Sequence, residues 1–192
     1  MNDFERMDAL AQDVLKLCRN TLLVHLRFLD RALSMFVYIP CPDGVIPGTG
    51  IPLRGGLATD GKHLYYAPKW VLRRYRGEQE ALTRDYLHVV FHCVFHHAFV
   101  NTLIDIPLWN LACDIAVESA IEGLHIACTA ARRSAEQQAA IARLRKEIKQ
   151  LSAEKIYARQ RPKNYSAARI ELTQRSFSAD SHDIWYDRCA VQ

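Results

Sequence analysis

Between Leu87 and Phe99 the chain reads Leu-His-Val-Val-Phe-His-Cys-Val-Phe-His-His-Ala-Phe, which sets His88, His92, His96 and His97 in an otherwise apolar run. No Gly or Pro interrupts Glu80–Val100, so the pattern predicts a helix of roughly 20 residues and about 30 Å. Its apolar density places that helix in the core. Any fold available to this chain must therefore bury imidazoles, and a buried ring nitrogen needs a hydrogen-bond or metal partner.

Residues four apart on a helix lie on nearly one face, about 6 Å apart along the axis. His92 and His96 can thus converge on one cation. The next apolar segment, Leu108–Leu124, follows Pro107 at a first-turn position and ends near Gly123. It carries Asp114 and Glu118, again four apart on a largely apolar helix. Two imidazoles from one helix and a carboxylate from the next form a three-ligand set that leaves a zinc coordination position open. The competing reading is a set of core histidines and carboxylates that pair with one another or with arginines.

The remaining chain supplies scaffolding for that pair. Residues 3–36 hold apolar side chains at helical spacing and no Gly or Pro, which predicts one long amphipathic helix. Four prolines and five glycines in Pro40–Gly56 predict an extended loop. Leu57–Ala67, with Asp60-Gly61 at its centre, reads as a β-hairpin. A short helix from Pro68 to about Tyr75 follows, ended by Gly77. Residues 130–159 read as a further helix with a narrow stripe of Ile141, Leu144, Ile148 and Leu151, and the tail beyond Arg161 packs in places through Phe177, Trp185 and Tyr186. The expected organisation is an N-terminal helix and core in residues 1–129, with a basic helix and tail in 130–192 packed on the same domain. The fold class is α+β, mainly α, with a small hairpin or sheet and a C-terminal helical extension.

Residues 130–192 contain 13 basic and 7 acidic side chains, so the net charge of +4 belongs to the C-terminal third. Glu136, Glu147 and Glu154 dilute that charge and no nucleic-acid recognition motif accompanies it, which favours a solvated or protein-docking face. Six cysteines without a CxxC pair, and no secretory leader, predict a reduced, cytoplasmic protein. No apolar run approaches the roughly 18 residues of a membrane span.

The HxxxH pair, the Thr59-Asp60-Gly61 hairpin before it and Trp-Asn-Leu-Ala-Cys-Asp at 109–114 together resemble a bacterial metallopeptidase-like domain of the zincin type, which commonly precedes a von Willebrand A-like domain. Leu-Ser-Ala-Glu-Lys-Ile-Tyr at 151–157 and Asp-Ser-His-Asp-Ile-Trp at 180–185 extend the resemblance over roughly residues 50–185. It implies a zincin-like fold, a Zn2+ cofactor held by His92, His96 and Asp114, and an extended peptide added to the hairpin edge. It also implies partners, either a von Willebrand A-like domain or a MoxR-type ATPase. Zincins place a glutamate general base directly after the first histidine; on the His92/His96 pairing this chain has Cys93 there. A thiol is shorter and uncharged at neutral pH, so the expectation is a zinc-binding pseudoenzyme of weak or absent peptidase activity, with Glu118 as a possible substitute base. The alternative is a metal-free interaction module in which the 130–159 helix docks a partner.

Overall fold

The side chain of Asn2 accepts the backbone N–H of Glu5 while Glu5 accepts the N–H of Asn2, a capping box that starts the first helix, α1, at Asp3–His25. The computed structural model describes residues 2–99, 103–131, 134–160, 173, 176–177 and 179–187. One face of α1 buries Ala11, Val14, Leu15, Cys18 and Leu22. The expected single helix over 3–36 is broken: Leu26 leaves helical geometry, a 3₁₀ turn follows, and α2 spans Asp30–Ser34. Leu22, Leu26, Leu29 and Leu33 keep a four-three-four rhythm across the break and are all buried. Their periodicity therefore hides the change of direction.

The chain then forms β1 (Val37–Pro40), β2 (Leu57–Thr59) and β3 (His63–Tyr66). β3 is central, antiparallel to β2 and parallel to β1. The β2–β3 hairpin lies where the sequence places it, with Gly61 at φ 94° in the turn. Strand β1 is an addition to the sequence reading, and it takes Pro40 from the predicted loop. Asp60 organises the turn by accepting the N–H groups of Lys62 and His63 with one oxygen, while the other faces His63 Nδ1 and the Tyr65 hydroxyl. Burial opposes ionisation of Asp60, yet these bonds prevail and lower its pKa. Tyr66 reaches away from the hairpin to donate to Asp8, tying α1 to the sheet.

The described residues also include α3 (Pro68–Gly77), α4 (Gln79–Val94), α5 (Ile106–Leu124), a 3₁₀ turn after it (Ala127–Thr129), α6 (Ala135–Glu147) and α7 (Ala153–Gln160). The predicted 130–159 helix is thus two helices, separated at Ile148–Ser152. One apolar core joins α1, α3 and α4 with the sheet, and a second joins α5, α6, α7 and Phe177. A third cluster gathers Cys41, Ile46, Ala58, Tyr65, Ile184 and Trp185. The fold is α+β and mainly helical, and no helix among the described residues is long and apolar enough to cross a membrane.

Gly56, at φ +85°, shows how tightly the sheet meets α3: an added Cβ would stand 2.1 Å from Trp70 Cδ2. Left-handed strain and overpacking add, so Gly56→Ala is expected to lose about 2–5 kcal/mol of stability, read from urea unfolding.

Candidate metal centre

Helix α4 does not reach Val100. It ends at Val94, because His96 takes φ 56° while its N–H bonds the Cys93 carbonyl (3.1 Å) and the His97 N–H bonds the His92 carbonyl (3.0 Å). This pair of bonds is a Schellman stop with histidine in the left-handed position. The stop sorts the four imidazoles. His88 and His92, four apart on intact helix, are buried and point at α5, whereas His96 is exposed and turned away. His97 folds back beneath His92, their Nδ1 atoms 2.9 Å apart.

Asp114 from α5 and Asp180 from the C-terminal segment meet His88 and His92, and one ligand-type atom of each lies within 4.8 Å of all the others. From the Asp114 Oδ1 atom, His88 Nε2 and His92 Nε2 both stand at 3.4 Å. From Asp180 Oδ1 they stand at 3.5 and 3.8 Å. Donors bound 2.0–2.1 Å from a tetrahedral zinc are themselves about 3.3 Å apart, so these spacings suit one ion. His182 Nε2 adjoins the same oxygens, 3.2 Å from Asp114 and 3.0 Å from Asp180, with its ring stacked 3.9 Å from Trp185.

Charge and hydrogen bonding point the same way. Glu118 is matched by Arg84, whose Nη2 stands 2.8 Å away, and by His88 Nδ1 at 2.9 Å. Asp114 and Asp180 then remain as two buried carboxylates facing imidazoles, a charge balanced either by protons on His88 and His182 or by a divalent cation in their place. Two atoms at this junction, His92 Nε2 and Asp180 Oδ2, are buried without a hydrogen-bond partner. A buried imidazole nitrogen with no hydrogen-bond partner, aimed at carboxylates, is an atom that a cation would satisfy. His88 with Glu118 behind it, and His92 with His97 behind it, each have the ring's other nitrogen held, as ligating histidines require.

Burial disfavours the Asp114 anion, but His182, His88 and His92 hold its carboxyl well below the usual range. Against the same burial, His88 and Arg84 bring Glu118 down to about 2. Asp180 and Asp114 push His182 up to about 10 despite its burial, whereas burial dominates His92 and His97 and lowers them to about 4 and about 3. His92 and His97 are thereby neutral rings that share one proton between their Nδ1 atoms.

Of the residues singled out from sequence, the structure brings His92 and Asp114 together and leaves His96 outside. Glu118 supports His88 from behind and is engaged by Arg84, which is not the setting of a free base. Cys93 lies off the cluster, its Sγ 3.9 Å from Thr59 Oγ1, and burial pushes its thiol up to about 11. Within the pair that does converge, the position after the first histidine is Val89, fully buried among hydrocarbon. His88, Asp180 and His182 are additions. His88 carried the same four-residue spacing to His92 as His96 does, so only the hidden helix stop separated the choices. The outer edge of β2, expected to accept a peptide, already holds Ser181 opposite Ala58. A cleft of about 340 Å³, lined in part by Arg54, Ile106, Asn110 and His182, reaches Asp114 and Asp180.

A buried two-histidine, two-aspartate cluster, three of its residues on packed helices and the fourth on the C-terminal segment, opening to a cleft, has the composition of a metalloprotein centre. Residues 48–183 match the family model described as "Putative metallopeptidase domain", and the chain belongs to that family. No curated protein and no solved structure matches it significantly.

Removing the Glu118 carboxylate leaves the buried Arg84 charge on two backbone carbonyls alone and frees His88 Nδ1. Glu118→Ala is expected to cost about 3–5 kcal/mol in urea unfolding, the range for breaking a buried ion pair.

Proposed function

We propose that this chain is a zinc-binding, metallopeptidase-like protein whose ion is held by His88, His92, Asp114 and Asp180, and whose peptidase activity is weak or absent. The observation that carries the reading is the unpartnered His92 Nε2, buried at the meeting point of two carboxylates and a second imidazole. Zinc is favoured over calcium or magnesium because two imidazole nitrogens join two oxygens, a donor set those hard cations avoid. Zinc with an open position would supply Lewis acidity toward water or a carbonyl oxygen, and four protein ligands here leave none, in keeping with weak or absent hydrolysis.

The chain's own residues supply less than a zincin does. Glu118 and His97 fix the ligand rings, and the cleft beside Asp114 admits a small group. Val89 offers no carboxylate where the HExxH pattern places its base. Loss of a general base typically removes about 10²–10⁴ in rate. A metal-free reading draws on one observation, that Asp180 and Asp114 each have His182 within reach and could be balanced by protons alone.

Metal content separates the two. Plasma mass spectrometry on untagged protein purified without chelator is expected to find about one zinc per chain. His88→Ala and His92→Ala are expected to lose it, while His96→Ala keeps it. No zinc after zinc is supplied, or loss in His96→Ala with retention in His88→Ala, would overturn the assignment.

A further inference from the structure

Asp180 reaches the centre from a segment remote in sequence from both helices. That segment, residues 179–187, lies along the outer edge of β2. Ser181 pairs there in parallel with Ala58, and its N–H donates to the Leu57 carbonyl at 2.9 Å. Trp185 Nε1 donates to the Thr59 carbonyl at 2.9 Å, and its ring covers both His182 and His92, with centroids 3.9 and 4.9 Å away. Two backbone acceptors of β2, on which an extended peptide could pair, are thereby taken by the chain itself.

Little besides the centre satisfies Asp180. Its carboxylate is buried, its Oδ1 faces His182, His88 and His92, and its Oδ2 has no partner. Without a cation its charge is met by His182 of the same segment, 3.0 Å away, so the carboxylate then binds 179–187 mainly to itself. With a cation the same carboxylate becomes a direct link from the segment to His88, His92 and Asp114 on the helices, added to the packing of Ile184 and Trp185. Asp180 also completes four protein ligands, which characterises closed rather than open zinc sites.

We infer that the ion acts as a clasp: bound zinc fastens residues 179–187 over the β2 edge through Asp180, and losing zinc releases that segment while the rest of the fold stays in place. This rests on the metal reading above and adds a conformational role to it. With the clasp closed, the chain's own segment occupies the edge on which an extended peptide would pair.

Hydrogen–deuterium exchange with mass spectrometry tests it on the full chain, zinc-loaded and then stripped with EDTA, with zinc content measured on the same samples. Stripping is expected to speed exchange in 179–187 at least tenfold and to leave the α1 peptide unchanged. Asp180→Asn, supplied with zinc, is expected to exchange at the stripped rate in that segment. Zinc bound with 179–187 indifferent to its removal would overturn the clasp and leave the metal reading standing. A uniform rise across all peptides would also overturn it, because the ion would then hold the whole core. Absence of zinc from the loaded sample would overturn both.

Discussion

Asp114 and Asp180 are two carboxylates sunk in a protein interior, and much of the architecture around them serves to make that tolerable. Each sits within 4 Å of two or more imidazole nitrogens. Those rings are in turn held by Glu118, His97 and Trp185, and Glu118 by Arg84. A buried charge left unpaired costs several kcal/mol, so α4, α5 and the C-terminal segment can pack only in the arrangement that keeps these groups together. The cluster thus works as a mark of how α4, α5 and the C-terminal segment meet.

The same constraint explains the supporting layers. The α4–α5 pair is apolar enough to lie in the interior, with Val89, Val90, Ala112, Cys113 and Ile115 all fully buried. Polar side chains occur on it chiefly where they meet one another. Arg84 is tied down three ways, to the Glu118 carboxylate, the Glu118 carbonyl and the Thr129 carbonyl. The 3₁₀ turn after α5 is thereby joined to the centre through one guanidinium.

How much of this can be read from the residues depends on whether the cause is local. Helices α4 and α5 follow from apolar density and from Pro107 at the start of α5, and the hairpin follows from Asp60-Gly61. His92 and Asp114 attract attention because polar residues in such helices need partners. The stop at His96 gives no such signal: neither Gly nor Pro marks it, and a histidine in left-handed geometry is an uncommon choice that tertiary packing makes. The choice between His88 and His96 rests on that stop. The break at Leu26 hides for a related reason, since the apolar rhythm runs through it. Asp180 is beyond local reading altogether, because only the docking of 179–187 on β2 carries it to Asp114, His92 and His88, which lie 66 and more residues earlier. The family resemblance around Asp-Ser-His-Asp-Ile-Trp marked the segment without assigning its residues a role.

X-ray absorption at the zinc edge tests the central claim most directly, because it counts the atoms around the ion without regard to activity. The account predicts a first shell of nitrogen and oxygen only, at about 2.0–2.1 Å, with the outer-shell pattern of two imidazoles. A sulfur scatterer at about 2.3 Å would place Cys93 or another thiol on the metal and contradict the assignment. So would a first shell of water with no imidazole, the signature of an ion bound loosely outside the helices.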